Sequence, residues 1–359
     1  MSSTSTGGCS NLAVLSHWPL ARRAAQLVVV PVLDFDMSSV KVAAQAGAGG
    51  ILLLGNATPP TNLKAQLSTA FASTAPGLGP LVMADEEGGG VQRLMGAVAS
   101  MPWARDMAET MTPQQVQALA ADVGRAMLQL GVDVDLAPVL DLDAGAGPNE
   151  TDADGSRSFS ASASTATRYG IAFMRGLQSA GVLPVLKHFP GLGGSTGNTD
   201  YGTASTPPLA TLESGGLTPF RAAIAAGAPA VMVSNAAIPG LTDMPASVSP
   251  QALGGLLRHD LGFGGLVLTD SLSAGAITQA GLDVPTAAVA AIKSGADLVL
   301  FGSTLTPAQT LLLKPQNLAS TINAITDALV AATQAGTINV QQLDTAVDQV
   351  LAAKHANLC

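Results

Sequence analysis

The sequence predicts a closed parallel barrel of eight β/α units, a (β/α)8 TIM-type barrel in a single domain. Three observations point to it. Eight apolar runs of strand length recur along the chain, helical patterns separate most of them, and several runs end on charged residues followed by Gly or Pro. Strands buried on both faces read as near-continuous apolar runs, and their alternation with helices marks a parallel sheet covered by helices. Eight units favour closure, with a doubly wound open sheet as the competing arrangement.

Taken in order, the strands are expected near residues 27–32, 50–54, 81–84, 132–136, 183–186, 230–233, 266–269 and 298–301. Each is too short for a helix and rich in aliphatic residues. The clearest helix starts at Thr112, a capping residue followed by Pro113 at the first turn and by apolar residues returning at three and four. Similar patterns cover 164–179, 218–226, 249–261 and 284–294, and two more, 320–332 and 340–354, follow the eighth strand. These last two are too short for a second domain. The chain therefore reads as a flexible leader over 1–15 and a barrel with C-terminal helices over 16–359. The longest connections, 88–113, 143–164 and 191–208, follow the third, fourth and fifth strands. In a barrel they stand on the rim where active sites are built.

Composition excludes several functions. A chain of 359 residues, 47% hydrophobic and 11% charged, can bury a large core. The net charge is -9 and the 16 Lys and Arg are scattered mostly singly, so there is no basic stripe for nucleic acid. No apolar run approaches the about 20 residues a membrane helix requires, and with no intact signal peptide the chain reads as soluble, most simply a monomer. His17, His188, His259 and His355 are not spaced as ligand pairs, and the cysteines sit at the extremes, so neither a metal nor another cofactor is expected. Three expectations concern Cys9: a disulfide to Cys359 in an oxidising compartment, a lipid anchor following the small polar stretch 3–8, or two free thiols. The expected location is secreted or at a bacterial cell envelope, with the cytoplasm as the alternative.

Chemistry-bearing residues cluster where strands end. The run Val185-Leu186 ends on Lys187-His188-Phe189-Pro190-Gly191, which reads as a buried strand delivering a cation and an imidazole to one rim. Residues 81–84 likewise end on Asp85-Glu86-Glu87, 134–137 lead to Asp141, and 266–269 end on Asp270.

Six segments in order, 85–94, 136–141, 155–159, 187–191, 245–249 and 261–273, resemble the signature series of glycoside hydrolase family 3. Their order and spacing are similar to those of its single-domain β-N-acetylhexosaminidases. The resemblance implies a retaining, exo-acting β-glycosidase. Its expected partner is a small carbohydrate, an N-acetylglucosamine-type sugar carried on peptidoglycan fragments or related glycans. It implies Asp270 as the nucleophile that forms a glycosyl-enzyme, a role suited to a carboxylate, which is ionised at neutral pH and departs when water attacks. It also implies substrate binding by Asp85, Arg93, Arg157, Lys187, His188 and Asp141, since fixed charged groups at strand ends supply the directional donors and acceptors a sugar needs. Structural alternatives stand beside these roles. Asp270 could cap a following helix, Asp85 and Arg157 could form a rim ion pair, and Lys187 and His188 could be a satisfied pair above the core. One of Glu86 and Glu87 could hold the backbone amides of its loop.

The acid/base position departs from the family. Its single-domain members carry Gly-His-Gly and then Asp-Ser-His after the Lys-His-Phe-Pro-Gly motif, and the last His transfers protons. Here Leu192 replaces the first His, and Asn198-Thr199-Asp200 replaces the Asp-Ser-His. Asp200 is the candidate substitute. To donate a proton at neutral pH its pKa must rise by roughly 2 to 3 units, which burial near a second carboxylate can supply. Gly90, Asn235 and Ala274 are further departures, at positions where Arg, His and Met are usual. The competing outcome is a sugar-binding relative that has lost catalysis. A phosphate-handling barrel enzyme would need a Gly-rich cradle after the last two strands, of which Gly302-Ser303 is a slight trace. With 3% aromatic residues, the stacking candidates are few, namely Phe159, Phe189 and Tyr201, which suggests a short one-sugar pocket.

Overall fold

The structure, a computed structural model, describes residues 10–359. One parallel sheet contains β1 (Val28–Leu33), β2 (Gly50–Leu54), β3 (Leu81–Ala84), β4 (Val134–Asp135), β5 (Leu183–Phe189), β6 (Ala230–Val233), β7 (Leu266–Thr269) and β8 (Val299–Leu300). Their order is β8-β1-β2-β3-β4-β5-β6-β7. A parallel bridge between Leu268 and Leu298 joins β7 to the segment entering β8, with Leu298 N donating to Val267 O and Thr269 N to Leu298 O, both at 3.0 Å. The sheet thus closes on itself, and the open-sheet alternative falls.

Every expected strand forms, but β4 is shorter than its apolar run. Beyond Asp135 the chain reaches Pro138, and Pro184 lies opposite Asp135 on β5. Neither proline has an N–H to give to the ladder. Strand interiors are buried throughout, and Phe173, Phe189, Phe220 and Phe301 are among the largest fully buried side chains. Phe189 at the end of β5 meets Phe220 edge-on, with ring centroids 5.5 Å apart, so the floor under the rim is rigidly filled.

The helix Pro113–Leu130 begins on the expected cap. Thr112 accepts from Gln115 N at 3.3 Å while Gln115 Oε1 accepts from Thr112 N at 2.7 Å. Helices Ala163–Ala180, Thr218–Ala225 and Val284–Ser294 also match their patterns, and Gln251–Asp260 is helical with wide, i to i+5 turns. The helices Met37–Ala46 and Leu63–Ala70 complete the first two β/α units, and their few turns carry too little periodicity to be read from sequence. Pro315–Gln334 and Val340–Ala353 close the chain against the barrel's outer face.

The N-terminal segment corrects one expectation. Residues 11–15, assigned to the flexible leader, form the helix Asn11–Leu15, and Leu15 is buried. Asn11 Nδ2 donates to Ala356 O at 3.1 Å and Leu358 N to Asn11 Oδ1 at 2.9 Å, which lays this helix on the C-terminal segment. The disulfide and lipid-anchor expectations involve Cys9, which lies outside the described residues. No helix among the described residues is long and apolar enough to cross a membrane.

Candidate active site

The strand ends converge on one cavity of about 470 Å³ at the C-terminal rim of the barrel. Asp85, Arg93, Arg157, Lys187, His188, Asp200 and Asp270 all line it. Of the catalytic and substrate-binding candidates named from sequence, Asp141 alone does not, and of the stacking candidates Tyr201 lines it while Phe159 and Phe189 are buried in the core.

The polar floor is built around Glu87. The chain leaves β3 through Asp85 and enters a two-stranded ribbon, Glu86–Gly88 and Val91–Gln92. Alternation along the ribbon sends the two glutamates opposite ways. The Glu86 carboxylate turns inward and accepts from Arg93 N at 2.7 Å, Leu94 N at 2.6 Å and Gln92 Nε2 at 3.1 Å. It is the glutamate that holds the loop's amides, and burial, with some help from Asp85, pushes it up to about 7. Glu87 faces the cavity and takes both prongs of Arg157, Nε to Oε2 and Nη2 to Oε1, each at 2.8 Å. Lys187 Nζ sits 2.6 Å from the same Oε1 and 2.6 Å from Asp85 Oδ1. Burial works to raise Glu87, but the Arg157 and Lys187 charges overcome it and hold the group well below the usual carboxylate range. The expected Asp85–Arg157 pair does not form as such. Asp85 pairs with Lys187, and Arg157 pairs with Glu87, whose role was not legible in the sequence.

His188 takes its orientation from both sides. Arg157 Nη2 lies 3.3 Å from its Nε2 and can only donate, so Nε2 accepts and Nδ1 carries the proton. That proton is directed at Asp141 Oδ2, 2.7 Å away. Asp141 is fully buried, and it also accepts from His188 N at 3.0 Å and from Leu192 N at 2.7 Å. Asp141, expected to bind substrate, therefore reaches the cavity only through His188.

Behind this pair lies Asp154, which the sequence reading missed. It is 1% exposed, and neither carboxylate oxygen meets a hydrogen-bond donor among the described residues. Burial, reinforced by the Asp141 charge, raises it well above the ordinary range. Donor atoms of Asp141, Asp154 and His188 lie within 4.8 Å of one another, close enough to be tested as a cation site. A cation on Nδ1 would force the imidazole proton onto Nε2, against the Arg157 guanidinium. The network favours a proton on Asp154 over a metal.

The opposite wall carries Asp270, directly after β7. Its N donates to Val233 O at 2.9 Å, and its Oδ1 accepts from Ser271 N at 2.7 Å. The next helix, Gly275–Gln279, starts after Ala274, so Asp270 is not its cap. Asn235, at the end of β6, is buried and donates from Nδ2 to Ser271 O at 2.7 Å while its Oδ1 accepts from Ser247 Oγ at 2.6 Å. An amide where the family usually has His thus fixes the backbone just after Asp270.

Asp200 comes in on the loop after β5. Gly193 passes this loop over residue 142, where an added Cβ would lie 2.3 Å from Leu142 O. Beyond it, Gly275 N donates to Asp200 O at 2.9 Å and Ala276 N to Thr199 O at 3.0 Å, so the loop is clamped onto the segment following Asp270. The clamp requires glycine at 275, since an added Cβ would lie 2.5 Å from Tyr201 C. Gln309, in the first turn of the helix Pro307–Leu312 that follows β8, adds a contact missed from sequence. Its Nε2 lies 3.4 Å from Asp200 O, Asp200 Oδ1 and Ser273 O. Its Thr306-Pro-Ala-Gln309 capping box is legible as a helix start, but its reach to Asp200 is not. Burial, followed by the Asp270 charge, pushes Asp200 up to about 7. Two carboxyl groups thus share one cavity in unlike environments, the arrangement that sets a proton donor against an ionised partner.

Similarity to known proteins agrees with this geometry. The model of the glycosyl hydrolase family 3 N-terminal domain matches residues 20–353. Beta-hexosaminidase LpqI of Mycobacterium tuberculosis is 37% identical over 343 residues, covering 93% of this chain and 82% of that protein. The solved structure of M. tuberculosis LpqI superposes with a TM-score of 0.83 at 35% identity, covering 97% of each chain. A solved beta-N-acetylhexosaminidase from Beutenbergia cavernae gives a TM-score of 0.81 at 32% identity, covering 94% of this chain and 99% of that one. The chain is a glycoside hydrolase and belongs to glycosyl hydrolase family 3.

Proposed function

We propose that this chain is a retaining, exo-acting β-N-acetylhexosaminidase that releases N-acetylglucosamine-type sugars from peptidoglycan fragments or related glycans. The observation that carries the reading is the pairing of Asp270 and Asp200 across one cavity, with Asp200 raised to about 7 beside its partner. The similarity to proteins named beta-hexosaminidase supports the choice of sugar.

In this reading the sugar enters the floor ring first. Lys187, Arg157, Asp85 and His188 are held by one another before substrate arrives, so little side-chain freedom is lost on binding. Arg93 faces the same space. Asp270 attacks the anomeric carbon as the glycosidic bond breaks, and Asp200 gives its proton to the departing oxygen. Asp200, now a carboxylate, takes a proton from water as that water attacks the anomeric carbon and Asp270 leaves. The second half-reaction thus returns both carboxyl groups to their starting states. A cavity of about 470 Å³ suits one or two sugar rings, which favours exo cleavage over a long cleft.

The test is turnover of an aryl N-acetyl-β-glucosaminide by the purified chain, with Asp270→Ala as the blank. Activity abolished in Asp270→Ala supports the reading. Wild-type turnover no greater than this blank contradicts it.

A further inference from the structure

We propose that Tyr201 and Leu305 form the platform under the substrate's leaving group, and that this platform selects a second pyranose ring as that group. The proposal rests on the reading above, in which Asp200 protonates the glycosidic oxygen.

The leaving group is covalently bound to the oxygen that receives the Asp200 proton, so it must lie beside that carboxyl. Tyr201 is the next residue and lines the same cavity. Leu305 lines it too, and the Gln309 contact to Asp200, four residues further on, brings the loop after β8 against the Asp200 loop. Both side chains are unusually open for their type, Tyr201 at 40% and Leu305 at 49% exposed. They stand at the mouth of a cavity whose floor holds the buried Glu87, Lys187 and His188. Polarity is therefore graded, with hydrogen-bonding charge where the cleaved sugar sits and apolar surface where the leaving group sits.

That surface suits a particular chemistry. A pyranose ring presents a face of C–H groups that packs on an aromatic ring, and its rim hydroxyls remain in water. None of Tyr201, Ser303, Thr304 and Leu305 is charged, so an anionic or cationic leaving group finds no counter-charge on this lip.

The experiment compares kcat/KM on N,N′-diacetylchitobiose, whose leaving group is a sugar, with that on N-acetyl-β-glucosaminyl fluoride, whose leaving fluoride is too small to reach the lip. The readout is the ratio of the two in wild type, Tyr201→Ala, Tyr201→Phe and Leu305→Ser. The expected ratio falls about tenfold in Tyr201→Ala, as loss of one aromatic contact predicts, falls less in Leu305→Ser, and recovers in Tyr201→Phe. An unchanged ratio overturns the platform, whether both rates hold or both fall together. Because fluoride needs less protonation than a sugar, a lower ratio in Tyr201→Ala that comes with a shifted alkaline limb in the chitobiose pH profile would place Tyr201's effect on Asp200 and overturn the platform too, whereas the platform predicts an unmoved limb. Wild type that turns over neither substrate removes the β-N-acetylhexosaminidase reading, and the platform with it.

Discussion

Asp270 and Asp200 face a common cavity from neighbouring loops, and the Asp270 charge, added to burial, keeps the Asp200 carboxyl at about 7. The direction of the shift decides the pH behaviour. Asp200 donates only in its acid form, so kcat/KM for substrates with poor leaving groups should fall as pH rises through about 7. Removing the neighbouring charge should lower the Asp200 pKa. A carboxyl titration followed by carbon-13 NMR should therefore find it lower in Asp270→Asn than in wild type, and an equal or higher value would break the link between the two groups.

Gln309 should tune the same proton. Its side chain donates toward Asp200 Oδ1, a bond that favours the carboxylate, so Gln309→Ala should move the alkaline limb of the rate profile upward. The substitution also removes a capping box, a loss of about 1 kcal/mol. Its effect on melting temperature should therefore be modest. A profile that keeps its limb while the rate falls would mean that Gln309 acts on folding alone.

The Glu87 ring should matter to stability as well as to binding. Arg157→Ala leaves a buried carboxylate with Lys187 as its remaining cation, and breaking a buried pair on one side costs about 3–5 kcal/mol. Denaturant unfolding should register that loss, and KM should rise with it. The pH dependence has a definite sign, because Glu87 is held below its ordinary value. Its contribution is present above the unfolded pKa of 4.5 and is lost as pH falls below that value through the lower folded pKa. Glu87→Gln should accordingly differ from wild type most at neutral pH and least in acid.

Gly275→Ala tests the clamp. The added methyl would meet Tyr201 backbone, which cannot move as a side-chain tip can. Overpacking of this kind costs about 1–3 kcal/mol when it forces a shift, and here the Asp200 loop is the part that must give. Turnover of poor leaving groups should drop by at least tenfold, with a smaller drop for activated aryl substrates that need less protonation. Equal losses on both would place the damage elsewhere.

The barrel is legible in sequence because buried parallel strands leave a one-dimensional trace, an apolar run ending on charge. Lys187, His188 and Asp270 could be placed at the rim for that reason. Asp200 could be named because it falls where the family's proton-transfer residue stands. What stayed hidden depends on direction. Glu86 and Glu87 are adjacent and identical, and only the ribbon's alternation shows that one binds amides while the other anchors Arg157. Asp141 and Asp85 look alike as strand-end acids, yet one is buried behind His188 and the other lines the cavity. Asp154 lies in an irregular segment and Gln309 in the first turn of a two-turn helix, where too little period announces which way a side chain points.

The most direct test of Asp200 as the proton donor is turnover of an activated aryl N-acetyl-β-glucosaminide by Asp200→Ala, with and without sodium azide. A small anion can occupy the space left by the carboxyl and attack the glycosyl-enzyme without needing a base. The predicted result is a slow variant that azide accelerates, yielding the β-configured glycosyl azide. A variant as fast as wild type, or a slow one from which no glycosyl azide forms, would contradict the assignment of proton transfer to Asp200.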